Sequence, residues 1–315
     1  MFAVVLTNLL PIGLLIAVGV VVRKIGLVND QISGALSKIL INVTLPATLI
    51  MGMQREFSAE LMADGLLVFA IVLCKQLLFF GLGMALSRLF KIPKGRRGVF
   101  TAAIAFGNVT FLGIPVIMAI FGEYALFYLA MGQIAFHLTL YSLGVWYISK
   151  DGEYRSRIEG RMEEKQKKRR PFRINLAFGA SLTGFVLFVL GIRITGPIAA
   201  SLGHLGNMTT PLAMLVMGGL LTKGSPKDFL ADKSLAFLAL LKMILLPTLS
   251  FLVLRNFVQD SLILGVLVYF RAMPTGVLVA VAAEEFGADS AYAARIAFVT
   301  TLLSLVTLPL LSLLL

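Results

Sequence analysis

The chain has 315 residues, 58% of them hydrophobic and 14% charged, with a formal net charge of +12 and a mean hydropathy of +0.93. A water-soluble domain of this length cannot hide so much apolar surface, so the composition excludes a soluble globular protein and points to repeated membrane spans. The basic excess does not imply nucleic acid, because Lys and Arg gather between apolar runs, where the positive-inside rule accounts for them.

In chain order, the apolar runs predict spans at 3–22, 36–53, 64–87, 99–121, 125–148, 174–193, 206–222, 234–255, 262–284 and 291–314. The first begins Met-Phe-Ala-Val-Val, without a basic leader or a small-residue cleavage site, and reads as a retained span. The third carries Cys74, the single cysteine, so no intramolecular disulfide can form. Runs of about 20 continuously apolar residues favour helices over the shorter, alternating strands of a barrel.

Ten spans put alternate loops on one face. One set of loops, with the adjoining helix ends, holds twenty-two Lys and Arg residues; the other holds only Arg55, Arg193 and Arg255. This asymmetry predicts both termini outside and the central loop in the cytoplasm, next to the headgroups of membrane lipids. That loop, 150–173, mixes five carboxylates with ten basic residues and reads as a linker between a first half, 1–149, and a second, 174–315.

The halves share weak internal similarity. Asn42-Val43-Thr44-Leu45-Pro46 is matched by Asn207-Met208-Thr209-Thr210-Pro211, Lys75 by Lys242, and Pro115 by Pro274. Five spans per half is an odd number, so the second copy must enter the membrane from the opposite side. Inverted repeats are characteristic of secondary transporters.

The fourth span contains Gly107, Asn108, Gly113 and Pro115, and the ninth contains Arg271, Pro274, Thr275 and Gly276. Proline removes a backbone donor and glycine tolerates unwound geometry, so both spans are expected to break. A break leaves half-helix ends whose free N–H groups favour an anion. Lys75, Lys242 and Arg271 lie inside apolar runs without a mid-span carboxylate, so each is expected either to face a cavity or a partner, or to snorkel or bond to backbone carbonyls. His137, one turn after Gln133, is either a hydrogen-bonded structural residue or a proton-coupling one.

These residues resemble the auxin efflux carrier family, along nearly the whole chain. The most specific pieces are Asn-x-x-x-x-Gly-Ile-Pro over Asn108 to Pro115, and Ala272-Met273-Pro274-Thr275-Gly276 followed by Glu284-Glu285-Phe286-Gly287-Ala288-Asp289; Leu45-Pro46 and Pro211 to Leu215 match weaker patterns. The resemblance implies an all-α carrier like the sodium/bile-acid symporters, with helices 4 and 9 broken and crossed. Spans 1, 2, 6 and 7 would form a scaffold, against which spans 3–5 and 8–10 move as an elevator. It also implies that Asn108 contacts the substrate and that Pro115 and Pro274 mark the crossover. The short central loop favours a bacterial member that carries a small carboxylate over an auxin exporter.

The substrate set expected is therefore Leu45, Asn108, Gly113, Pro115, Arg271, Pro274 and Thr275, with Lys75, Gln133, His137 and Lys242 as charge or coupling residues. No metal or cofactor is implied, and no catalytic constellation such as His-Glu-x-x-His is present. Coupling to protons or sodium, a sodium symporter of the bile-acid type, an anion channel and assembly as a homodimer stay open.

Overall fold

The computed structural model describes residues 2–158, 176–222 and 233–315. Every regular element among them is helical, apart from one isolated antiparallel bridge between Gly107 and Thr275. In order they are α1 (Phe2–Lys24), α2 (Asp30–Gly52), α3 (Ala59–Leu89), α4 (Arg97–Ala105), α5 (Val109–Phe121), α6 (Ala125–Ile158), α7 (Leu176–Val189), α8 (Gly196–Asn207), α9 (Thr209–Leu221), α10 (Ser234–Leu254), α11 (Ser261–Ala272), α12 (Val277–Glu285) and α13 (Ser290–Leu311). Six of these are long and apolar enough to cross a membrane, and α5, α7 and α11 are shorter apolar helices.

Polar side chains set several helix starts. Asn29, Ser58, Asp260 and Asp289 each accept a hydrogen bond from the backbone N–H three residues on, satisfying a first-turn donor. On α1 the exposed residues Leu6, Leu10, Leu14, Val18 and Val21 recur every three or four positions. That stripe is the face a membrane helix turns to lipid.

Helices cover the expected spans, with several ends displaced: the second and third begin earlier, at Asp30 and Ala59, and the sixth ends at Val189. The seventh starts at Gly196, where Thr195 and a proline in the first turn open α8, and it is jointed at Met208 between α8 and α9. The fifth continues as helix through Lys150–Ile158, so the start of the expected linker is structured; there Asp151 is buried and accepts from the Val99 amide. The remainder of that linker, and Lys223 and Lys227 of the expected basic face, lie outside the described residues.

Three helices widen by one residue just before a proline. Leu45, Ile114 and Leu246 donate to the carbonyls of Leu40, Val109 and Leu241, five residues back, and are followed by Pro46, Pro115 and Pro247. The proline ring clashes with the carbonyl four residues earlier, and a π-turn upstream relieves the clash without ending the helix. Pro115 therefore does not mark a break: the unwound residues of the fourth span are Phe106–Asn108, seven or more positions earlier, and Pro115 lies within regular helix.

Packing falls into two groups. α1 packs on α9 and α2 packs on α7 and α8, while α3, α4 and α6 pack together and α10, α11, α12 and α13 pack together. Loops join on two faces: Arg55 donates to the Glu123 carbonyl and Gln54 accepts from the Ile194 amide on one, and Arg96 and Arg155 meet Asp289 on the other. The seam between α1 and α9 is backbone against backbone. A Cβ on Gly19 would come 2.6 Å from the Leu215 carbonyl oxygen, and one on Gly218 would run into the Ile16 carbonyl. Gly218→Val should therefore destabilise the protein by about 1–3 kcal/mol, the range seen for overpacked cores. A melting temperature in detergent equal to that of wild type would show that the helices do not meet this closely.

Candidate functional site

The fourth and ninth spans break and cross at their breaks. α4 ends at Ala105 and α11 at Ala272, and the next residues of each are extended. The Asn108 amide donates to the Pro274 carbonyl at 2.6 Å, and the Gly276 amide donates to the Phe106 carbonyl at 3.2 Å. The two bonds exchange under a shift of 168 positions, from 108 to 276 and from 106 to 274. Lys75 and Lys242 are related by nearly the same shift, 167. The expected pairing of Pro115 with Pro274 is corrected by this register: Gly107 is the residue that meets Thr275.

The remaining polar groups at the crossing are met from several helices. Asn108 closes the start of α5, its side-chain oxygen accepting from the Phe111 amide at 3.2 Å, while its amide nitrogen faces the Met217 sulfur of α9 at 3.4 Å. The Thr275 hydroxyl donates to the Ala103 carbonyl, and its amide donates to the Thr300 hydroxyl of α13. Gly276 opens α12 with no side chain to close its first turn, and the Thr110 hydroxyl is buried without a partner among the described residues. Gly113 is held close to Met273, at 3.3 Å from a hypothetical Cβ. Free amides and an unpaired hydroxyl in an apolar setting suit an anion that brings its own acceptors.

The three cations all bond to carbonyls, the simpler of the two readings open to them. Lys242, fully buried, donates to the carbonyls of Ile104 and Phe106, and Arg271 donates to that of Ala105, so both serve the carbonyl end of α4. Lys75 donates to the Leu267 carbonyl near the end of α11 at 2.8 Å. Each lysine thus serves the broken span of the other half, where the helix dipole favours positive charge. Arg271 stacks over Phe79 at 4.3 Å, and its Nε and Nη2 have no partner among the described residues.

Leu45 is fully buried in the core of α2, one residue after the widened turn. Gln133 is fully buried with both amide atoms unpaired among the described residues. His137 is fully buried, with the Gln133 carbonyl one turn back and no other partner for its ring nitrogens among the described residues. The imidazole is packed among aromatic rings, stacked on Tyr141 at 6.0 Å and edge-on to Phe178 at 6.3 Å. Sequence reading missed Gln76, Thr110, Met217 and Thr300. Only Gln76, adjacent to Lys75, and Thr110, inside the crossover motif, carried a local signal.

The second motif ends in an ion cluster. Asp289 binds Arg96 at 2.7 Å and Arg155 at 3.2 Å, joining the start of α13 to the segments before α4 and at the end of α6. Burial alone would raise the Asp289 carboxyl, but the Tyr292 amide and the two guanidinium groups outweigh it and hold it below its ordinary 3.8.

A polytopic helical protein with two crossed, interrupted helices and no catalytic constellation among its described residues has the form of a membrane carrier. The family model described as "Membrane transport protein" matches residues 4–312. The chain belongs to this family, the auxin efflux carriers, and is a multi-pass membrane transporter, not an enzyme. It is 27% identical over 303 residues to an uncharacterized transporter of Methanothermobacter thermautotrophicus, covering 96% of each chain. It is 24% identical over 307 residues to one of Methanocaldococcus jannaschii, covering 94% of each.

A depressed acid stabilises the folded state above its unfolded-state pKa, and that contribution is lost as pH falls through the folded-state value. Asp289→Asn should lower the melting temperature at neutral pH by an amount that stays level to about pH 5 and shrinks below about pH 4. Equal melting temperatures of wild type and variant at neutral pH would rule the cluster out as a clamp.

Proposed function

We propose that the protein is a secondary transporter that moves a small carboxylate anion across the cytoplasmic membrane by elevator-type alternating access. The observation that carries this reading is the reciprocal pair of backbone bonds between Phe106–Asn108 and Pro274–Gly276. Irregular backbone is tolerated in a bilayer only where protein or a wet cavity surrounds it, and carriers use such breaks to bind their cargo. The substrate carboxylate is bound beside the crossing, by the Asn108 amide nitrogen, the Thr110 hydroxyl and the open first turn of α12. Gly113, Pro274 and Thr275 shape the backbone there, and Arg271 braces it through Ala105 while adding positive potential.

The ten spans form two inverted five-span repeats. In support, the packing of α1 on α9 becomes that of α7 on α2 when each span is advanced by five, and the cross-bracing by Lys75 and Lys242 exchanges in the same way. The scaffold is built from α1, α2, α7, α8 and α9, and the moving body from the rest. Lys and Arg distribution supports external termini and a cytoplasmic face that holds the Asp289 cluster.

A thermal-shift screen of the purified protein against mono- and dicarboxylates tests the substrate class, since a ligand that binds only the native state raises its stability. Asn108→Ala should lose the carboxylate response together with about 1 kcal/mol of stability from the lost helix cap. Asn108→Ser, which restores a cap oxygen but not the amide, should recover the stability without the response. A carboxylate response of wild-type size in Asn108→Ser would remove Asn108 from the site. Saturable counterflow in proteoliposomes distinguishes the carrier from a channel, and uptake independent of sodium distinguishes it from a bile-acid-type symporter.

A further inference from the structure

The crossing has two sides. Asn108 and Met217 lie on the side that meets α9. The other side meets α3 and borders a small, partly open cavity of about 10 Å³, lined by Lys75, Gln76, Phe79, Ala105, Phe270 and Arg271. One water requires roughly 10–15 Å³, so the space as it stands is water-sized; it excludes a dicarboxylate and takes an occupant of halide size only as the flexible Lys75 and Gln76 side chains draw back.

Charge decides what that occupant is. Lys75 and Arg271 line the cavity, and Lys242 lies behind it on the Phe106 carbonyl. Among the described residues no carboxylate pairs with any of the three. Backbone carbonyls satisfy part of their hydrogen-bonding capacity but carry only partial charge. Arg271 is 95% buried, its relative exposure being 5%, and its Nε and Nη2 both lack a partner among the described residues. With the face of the guanidinium against Phe79, that pair of N–H groups forms the in-plane edge with which arginine grips an anion. A water molecule can accept from these donors but leaves the positive charge uncompensated, and uncompensated buried charge is costly.

We propose that this cavity is a second binding site, for a monatomic inorganic anion of halide size, chloride in the cell, held by the Nε/Nη2 edge of Arg271, the Lys75 ammonium and the Gln76 amide. It is separate from the carboxylate site on the α9 side. The anion neutralises the inner face of the crossing, so that the three cations brace the half-helices without repelling one another.

The test compares the melting temperature of the purified protein in sodium bromide with that in sodium methanesulfonate at equal ionic strength, without carboxylate. Bromide should raise it by about 2 °C or more, and anomalous diffraction from bromide-soaked crystals should show a peak between Lys75 and Arg271. Gln76→Glu is nearly isosteric and places a fixed negative charge in the cavity. It should melt at or above the temperature of bromide-loaded wild type and no longer respond to bromide. Asn108→Ser should keep the full bromide response while losing the carboxylate response, which separates the two sites. Equal melting of wild type in the two salts with no anomalous peak, or a Gln76→Glu variant that still responds like wild type, would overturn the proposal.

Discussion

A peptide group taken out of water must find another partner, and two helices that stop in the middle of apolar stretches create many such groups at once. The protein meets this demand by laying one interruption across the other. Each break donates one amide and accepts one in return, and the carbonyls left at the end of α4 are covered by Lys242 and Arg271. An unmet backbone group in such surroundings costs several kcal/mol, so neither interrupted helix could persist alone. The rest of the architecture follows from this mutual dependence. Long cationic side chains must reach across from α3 and α10, and the crossing must sit inside a thick jacket of apolar residues. Residues 98–105 of α4 are accordingly all buried.

Much of this was legible in the residues. Composition and run length are sums over many positions, so they gave the helical membrane class and the places of most helices. Lys75 and Lys242 stood out because a charge in an apolar run needs a reason, and both proved to serve the crossing. Pro115 misled because proline has two outcomes in a helix. Pro274 sits at a break, whereas Pro115 is absorbed by a widened turn, and only the three-dimensional register of Gly107 against Thr275 separates the cases. Contacts from distant helices, such as Met217 on Asn108 or Thr300 on Thr275, left no trace in local spacing. They are ordinary residues made polar partners by packing.

The division of packing into two groups has a mechanical meaning within the elevator reading. α1 and α9 touch through glycine, with no side chain between their backbones, and such a seam resists sliding. The opposing group is tied within itself by the crossing and by the Asp289 cluster, which joins the segments leading into α4, out of α6 and into α13. A rigid wall beside an internally braced body is the combination that permits one to travel past the other without either deforming.

The widened turns before Pro46, Pro115 and Pro247 amount to single-residue insertions in otherwise regular helices. One extra residue rotates everything downstream by about 100° around the axis. Each of these helices therefore presents two differently aimed faces, and an amphipathic stripe followed along the first part points the wrong way in the second. Among kindred chains, one-residue gaps should collect at these three places, since losing the surplus residue together with its proline would straighten the rod while keeping its ends in register.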